Sequence, residues 1–247
     1  MNKILALIHF CLAAGLPNAI GQLQQNDTSF FTSSINNAVS FYYRTVAENA
    51  GLYSGSEYTM SELFSPEDNK NVFFLSVYQQ NGSVLYKGIL YQNIPLCFDI
   101  YHEDLVTIRY SQNFRIRLNT DKVGSFDFAG HHFVSLRADS ANNMPYGPGY
   151  YDMLFAGKTL VMAKRRKIKL EKINTLGNTT IYQQNDHVFI VKDGVWFPVK
   201  SKRSVINAFG EGKKEMRKYI RKENVSFSSS FEAAVVNAAA HYDQIKN

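Results

Sequence analysis

Cysteine is scarce in this chain of 247 residues, which contains only Cys11 and Cys97. Cys11 lies inside an N-terminal apolar run that we expect to be removed, so Cys97 is the single cysteine of the predicted mature chain and an internal disulfide is excluded. A chain of this size buries enough surface to fold without a disulfide. Cys97 lies between Leu96 and Phe98 on a predicted strand, and we expect a small buried side chain rather than a reactive thiol.

Long hydrophobic runs are also lacking, since a membrane-spanning helix needs about 20 apolar residues. The N-terminal run from Ile4 to Leu16 is shorter, follows Lys3 and is broken by Pro17 ahead of a small-x-small site. This order of features is typical of a secretory signal peptide over residues 1–21. We therefore expect an exported protein of the periplasm or cell envelope, with no transmembrane span and at most peripheral membrane contact.

The short motifs that identify common enzymes are absent. The sequence contains no G-x-S-x-G nucleophile elbow, no H-E-x-x-H zinc motif and no phosphate-binding glycine loop. His131 and His132 are adjacent, so on a strand they face opposite ways and do not chelate one metal together. The densest group of possible ligands, around Asp99, His102 and Glu103, straddles a predicted strand connection, where acidic residues are common in turns. We predict a non-enzymatic protein without a metal or other cofactor, and a hydrolase built on these three residues is the less favoured alternative.

Positive charge is abundant in the second half of the chain. From Lys158 to Asn247 there are 18 lysine and arginine residues against 8 aspartate and glutamate residues, whereas the part from Gln22 to Gly157 is acidic. Such asymmetry suggests an acidic partner for the second half, although two lobes of opposite charge would also attract each other. The candidate partner-binding residues form two blocks: Lys164, Arg165, Arg166, Lys167 and Lys169, and then Lys213, Lys214, Arg217, Lys218 and Arg221.

The first block is expected to lie on one continuous strand. Alternation would place Arg165, Lys167 and Lys169 on one exposed face, so that replacing all three by serine should leave the fold nearly intact. Nucleic acid is not the expected partner, because an exported protein rarely meets it and no aromatic residues interleave the cations to stack on bases. Phosphates of lipid headgroups or an acidic protein are favoured, and a solvated face without a partner is the plain alternative.

Hydrophobic periodicity predicts an α+β protein. Apolar residues at helical spacing between Ile35 and Val46 indicate an N-terminal helix, and from Val72 onward the period changes to two. We expect an antiparallel meander or open barrel-like sheet that ends near Lys200, followed by a basic C-terminal helical pair. The expected divisions are a signal peptide at 1–21, an N-terminal helix plus β-rich body at 22–200, and a helical segment at 201–247.

Turn signals divide the predicted sheet into hairpins. Asn81-Gly82 and Asp193-Gly194 suit type I′ turns, and Ala156 to Lys158 join two strands within the stretch from Gly149 to Glu171. The loop from Ala138 to Gly149 is the candidate lobe boundary or mobile flap. A cup floored by Tyr and Phe side chains and covered by this loop would hold a small apolar ligand, which makes a small-molecule or lipid-binding module the alternative function.

The C-terminal segment carries two signals of helix ends. Ser229 followed by Glu232 has the spacing of a capping box at a helix start. Asn224 is suited to end the preceding helix in the left-handed conformation. Both signals favour a helical end to the chain.

Five stretches of the chain are distinctive. One is the terminal YDQ at Tyr242 to Gln244, and the other four are the longer segments VLYKGILYQNIPLCFDIY, GYYDMLFAGKTLVMAKRRK, VKDGVWFPVKSKRSV and KKEMRKYIRKENVSF. In these stretches the chain resembles an exported family of Gram-negative cell-envelope proteins with no assigned activity. The resemblance implies export and a shared architecture, and it implies no catalytic residues. We predict an exported non-enzymatic cell-envelope protein that binds an acidic envelope component or partner protein.

Overall fold

In the computed structural model of the chain, the described residues are 33–35, 38, 51–59, 67–109, 114–137, 144–174 and 177–246. The predicted signal peptide, most of the predicted N-terminal helix and residues 138–143 of the predicted flap lie outside them. The chain divides into two compact units, Met1–Ala38 and Val39–Asn247. In the first unit, residues 33–35 and Ala38 are helical. The second unit contains the sheet and the C-terminal helices.

Antiparallel strands make up most of the second unit. The strands of its described residues are β1 (Ser56–Glu57), β2 (Gln80–Tyr86), β3 (Ile89–Asp99), β4 (Asp104–Arg109), β5 (Phe114–Arg117), β6 (Val123–Phe128), β7 (His131–Leu136), β8 (Gly149–Ala156), β9 (Leu160–Lys164), β10 (Lys167–Asn174), β11 (Gly177–Gln184), β12 (His187–Lys192) and β13 (Val195–Val199). Eleven form one sheet in the order β1-β5-β4-β3-β2-β6-β7-β8-β9-β12-β13, and β10 pairs only with β11. The predicted antiparallel, open sheet is confirmed.

The large sheet is strongly curled. Phe98 on β3 and Tyr150 on β8 are four strand steps apart in the sheet order, a separation of about 19 Å in a flat sheet. Their ring centroids are nevertheless 5.6 Å apart. Phe126 and Phe133 stack on each other between them, at 4.7 Å. The concave side is thus filled here by the chain's own rings, where an open cup floored by Tyr and Phe was expected.

Hairpin turns with positive φ at two successive residues connect neighbouring strands. Asp193-Gly194 has φ values of 51° and 75°, so the predicted turn between β12 and β13 is confirmed. The turn predicted at Asn81-Gly82 is wrong, because both residues lie within β2 and the hairpin closes at Lys87-Gly88, with φ values of 52° and 77°. Glycine is required at position 82 for close strand packing instead of a turn, because a Cβ there would collide with the carbonyl oxygen of Asp127 on β6.

The strand predicted from Val72 to Gln80 does not form, because β2 begins only at Gln80. The segment before β2 contributes one isolated bridge, between Phe73 and Asp99. Phe73 packs in a buried cluster that also contains Cys97. Cys97 is fully buried, which confirms the predicted small buried side chain, and this burial raises the pKa of its thiol to about 11.

The stretch from Gly149 to Glu171 contains the predicted hairpin. β8 and β9 pair in antiparallel fashion across residues 157–159. β7 and β8, which flank the loop at 138–149, are also neighbours, with Leu136 opposite Gly149. The chain leaves the large sheet after Lys164, and after two intervening residues β10 begins at Lys167 as part of the separate β10–β11 hairpin.

Three helices follow the sheet, where a helical pair was expected: α1 (Lys202–Ala208), α2 (Lys213–Lys222) and α3 (Phe231–Ile245). The side chain of Ser201 caps α1 by accepting the backbone N–H of Ser204. Asn224 has φ 48°, as predicted for the end of α2. The helices pack on one face of β9 and β12 through a second apolar core, whose members include Val161, Ile190, Val205, Met216, Val235 and Ala239.

Candidate functional site

The first block of predicted partner-binding cations is largely buried. Lys164, Arg165 and Lys167 are 1%, 5% and 2% exposed, whereas Arg166 and Lys169 are exposed. The expected exposed face of Arg165, Lys167 and Lys169 is therefore wrong for Arg165 and Lys167, and the candidate Lys164 is inaccessible as well. The prediction failed because the chain breaks between β9 and β10, and this break ends the strand alternation on which the prediction relied. Replacing buried cations by serine is now expected to destabilise the fold.

Lys164 joins β9 to the connection between β3 and β4. Its ammonium forms an ion pair with Glu103 and lies 4.7 Å from the centroid of the Tyr151 ring. Burial lowers the pKa of Lys164, and the charge of Glu103 opposes this shift. A Cβ on Gly149 would lie 2.5 Å from the Lys164 Nζ and 2.7 Å from Glu103 Oε2. Glycine at this position therefore makes room for the buried pair.

Lys167 connects the β10–β11 hairpin to the same region. Its ammonium donates to the backbone carbonyl of Asn71 at 3.1 Å and to the Asn71 side-chain oxygen at 3.2 Å. Its backbone N–H donates to the carbonyl of Ile100 at 3.4 Å. Lys167 is thus a structural contact rather than part of an accessible surface.

Arg165 is the centre of a larger charged network. Its Nε and Nη2 donate to Asp152 Oδ2 at 2.9 and 2.6 Å. Its Nη1 donates to Asp186 Oδ2 at 2.8 Å, and its Nη2 donates to Glu232 Oε2 at 2.9 Å. Burial alone would lower the pKa of Arg165, but Glu232, Asp152 and Asp186 raise it well above its usual value. The guanidinium therefore links β8, the β11–β12 turn and α3.

The position of Glu232 corrects the predicted capping box. The N-cap residue of α3 is Ser230, and its side chain makes no capping hydrogen bond. Glu232 lies in the first helical turn and binds Arg165 with both carboxylate oxygens. A buried guanidinium that lacks partners is far more costly than a missing helix cap, so the long-range ion pair prevails over the local motif.

His131 extends the Arg165 network. Its Nδ1 lies 2.7 Å from Asp152 Oδ2, so a neutral ring with its proton on Nδ1 keeps Nε2 as an acceptor. The ring of Phe74 meets the His131 ring edge-on, at a centroid distance of 5.0 Å. The neighbouring His132 pairs instead with Asp127, at 2.7 Å. The two adjacent histidines thus have different partners, as alternation on a strand predicts.

An open cleft of about 450 Å³ borders the Arg165 network. Its lining combines apolar, charged and amide side chains: Phe74, Leu75, His131, Arg165, Gln184, Asp186 and Glu232. Three carboxylates, including that of the buried Asp152, surround the single guanidinium of the network. The wall therefore carries an excess of negative charge when His131 is neutral.

Sequence reasoning missed this cleft because its residues come from segments far apart in the chain. The only local signal is Asp152, which shares a strand face with Tyr150 by alternation. Both side chains are 1% exposed. A carboxylate on an otherwise apolar strand face requires a buried partner, but the sequence does not show that this partner is Arg165.

The acidic group at the β3–β4 connection does not converge on one point. Asp99 is fully buried and accepts hydrogen bonds from the Tyr58 hydroxyl at 2.7 Å and the His102 backbone N–H at 2.9 Å, while His102 Nδ1 lies 2.7 Å from it. Glu103 turns to Lys164 instead. Among the described residues, no three His, Cys, Asp or Glu side chains are grouped so as to hold a metal ion. Asp99 therefore links Tyr58 to the β3–β4 connection.

The second block of cations lies on α2 and is accessible. Lys214, Arg217, Lys218 and Arg221 are exposed, and Lys213 is half-buried. Their spacing of three and four residues forms one stripe about 10 Å long. On the opposite side of α2, Met216 and Ile220 are buried. The prediction of an exposed basic helix face is confirmed, and its role in partner binding stays a prediction.

None of the helices in the part of the chain described here has both the length and the apolar character needed to span a membrane. Comparison with known proteins finds no matching protein-family model, curated protein or solved structure. The resemblance to an exported envelope family therefore stays a prediction.

Proposed function

We propose that the protein is an exported, non-enzymatic cell-envelope protein that binds an acidic envelope component or a partner protein through α2. The observation that supports this function is the exposed stripe of Lys214, Arg217, Lys218 and Arg221. Met216 and Tyr219 pack against the apolar core and Ile220 is also buried, so the stripe is presented by a firmly packed element. Closely spaced phosphates or carboxylates are the complementary chemistry.

The structure changes which residues belong to this proposed surface. Arg166 and Lys169 remain candidates because they are exposed. Lys164, Arg165 and Lys167 no longer belong to the proposed surface, because their charged groups are buried. Lys164 contacts Glu103, Arg165 contacts the carboxylates that it binds, including that of Asp152, and Lys167 contacts Asn71. The proposed interaction is therefore centred on α2 instead of the β9–β10 connection.

The proposal predicts salt-sensitive capture that depends on α2. A variant with Lys214, Arg217, Lys218 and Arg221 replaced by glutamine keeps good helix formers and removes four charges. Crosslinking in the cell envelope followed by capture of the tagged protein should recover several-fold less partner or lipid from this variant than from the unchanged chain, and added salt should weaken the unchanged complex.

The matched control replaces the same number of exposed cations elsewhere by glutamine: Lys87, Lys158, Lys172 and Lys246. It should retain capture, because it has the same net charge as the α2 variant without altering the stripe. Equal loss of capture in the two variants would indicate nonspecific attraction to a cationic protein, and would refute a specific role for α2.

A further inference from the structure

Among the described residues, none is hydrogen-bonded to Nε2 of His131, a residue that lines the cleft beside Arg165. Asp152 binds His131 through Nδ1, which fixes the ring and leaves Nε2 as the ring nitrogen available to a ligand. Asp186 and Glu232 line the same cleft. Asp186 accepts from Arg165 and also from the Arg166 backbone N–H and the Gln184 side chain, so Glu232, whose two oxygens each accept from Arg165, keeps more acceptor capacity for a ligand. The polar wall therefore favours a ligand that donates hydrogen bonds.

The charges around the cleft favour a cation. Arg165 supplies one positive charge against the three carboxylates that it binds. Arg166 is the next cation along the chain, and its guanidinium lies over the Tyr146 ring, 5.7 Å from the centroid. Lys167 is directed to Asn71. The cleft wall thus retains negative charge that an ammonium group would neutralise.

The remaining wall is apolar and held in an unusual conformation. Leu75 is 59% exposed and has φ 60°. The N–H of Ser76 donates to the carbonyl of Phe74 at 2.7 Å, which makes this segment a γ-turn of the rare, strained form with positive φ at its centre. Phe74 is anchored by its own N–H, which donates to Phe98 at 2.8 Å. The strained turn presents an apolar side chain at the cleft, where a ligand would cover it.

We propose that this cleft binds a small molecule with a primary ammonium group attached to an apolar or aromatic body. The ammonium donates to His131 Nε2 and to the carboxylates of Asp186 and Glu232. The apolar body packs on Phe74 and Leu75. A volume of about 450 Å³ suits a ligand of this size. This site is separate from the α2 stripe, and either proposal stands if the other fails.

Three probes of nearly equal shape test the ligand class: 2-phenylethylamine, 2-phenylethanol and phenylacetate, which are cationic, neutral and anionic at pH 7. Each is titrated into the isotope-labelled full mature chain, and binding is followed by amide chemical shifts. The amine should bind at least about tenfold more tightly than the alcohol, shifts should cluster around the cleft, and phenylacetate should not bind. Equal binding of all three probes, or binding of none at millimolar concentration, overturns the proposal.

Two variants locate the site. His131→Gln should weaken binding of the amine about tenfold, whereas His132→Gln, the change at the adjacent histidine, should not alter it. Leu75→Gly should also weaken binding while leaving the melting temperature equal or higher, because glycine accepts the positive φ without strain. Equal effects of His131→Gln and His132→Gln, or unchanged binding in Leu75→Gly, contradict the assigned site.

Discussion

Arg165 shows how one side chain connects parts of the chain that are distant in sequence. Its guanidinium binds Asp152 on β8, Asp186 before β12 and Glu232 on α3. Removing a guanidinium from water is costly unless its donors are paired. Burying the carboxylates that surround it is likewise costly unless they have a cationic partner. The loss of Arg165 would therefore leave several negative charges close together without compensation.

We expect Arg165→Met to lower the free energy of unfolding by about 3 kcal/mol, because the side chain keeps its bulk while the carboxylates lose their shared partner. Urea unfolding followed by circular dichroism measures the change. Arg166→Met is the matched control, since Arg166 is exposed and adjacent, and its effect should stay within about 0.5 kcal/mol. Similar losses in the two variants would show that the buried network does not stabilise the fold.

At the scale of elements, α3 is attached to the sheet near both of its ends. Glu232 in its first turn binds Arg165. Near its last turn, the carboxylate of Asp243 accepts the backbone N–H of Thr159 at 3.1 and 3.0 Å, in the β8–β9 connection. Gly157 permits this approach, because a Cβ there would collide with the Asp243 carboxylate. The orientation of α3 is thus set by two polar contacts in addition to its apolar face.

The contact at Asp243 can be tested independently of Arg165. Asp243→Ala should cost about 1.5 to 3 kcal/mol of unfolding free energy, the usual range for a hydrogen bond to a charged group. Amide hydrogen exchange by NMR should show faster exchange at Thr159, whose N–H loses its acceptor. Gln244→Ala, at an exposed neighbouring position, should change neither quantity. Unaltered protection of Thr159 in Asp243→Ala would contradict the role assigned to this carboxylate.

The turns of the sheet show how far local sequence determines an element. Asp193-Gly194 and Asn81-Gly82 carry the same local signal, yet only the first forms a turn. The second is overridden because β6 approaches Gly82 closely, a contact that no local pattern reveals. In the same way, Ser229 and Glu232 fit a capping box until the distant Arg165 is taken into account. Most element types were therefore predictable, the segment from Val72 to Gln79 being an exception, whereas features that depend on distant neighbours were not.

For the whole molecule, the open sheet is held in its curl by contacts between regions far apart in the strand order. Lys164 on β9 pairs with Glu103 between β3 and β4. Lys167 on β10 binds Asn71, which precedes β2. The cation run that looked like a partner surface therefore serves mainly to close the fold. The exposed helix face was predictable because α2 keeps its helical period throughout, while the cleft was not, because Phe74, His131 and Glu232 meet only when the sheet curls.

The Lys164–Glu103 pair tests whether these contacts stabilise the molecule as one unit. Lys164→Met should lower the free energy of unfolding by about 3 kcal/mol, because Glu103 then lies half-buried without a partner. Glu103→Gln should cost less, since the amide still accepts a hydrogen bond from the ammonium. The double variant should be more stable than the sum of the two single effects predicts, with a coupling of about 1 to 3 kcal/mol.

The measurement is a double-mutant cycle by urea unfolding, monitored by both tryptophan fluorescence and far-UV circular dichroism. Trp196 on β13 reports the part of the sheet that carries the helices, whereas circular dichroism reports the whole chain. If the pair holds one cooperative structure, the two signals shift together in every variant. A shift in circular dichroism without a shift in Trp196 fluorescence would mean that the curled part unfolds separately from the helix-bearing part. Purely additive effects would mean that Lys164 and Glu103 stabilise the sheet independently, because charges that act as a pair are coupled when they lie in contact in a partly dry interior.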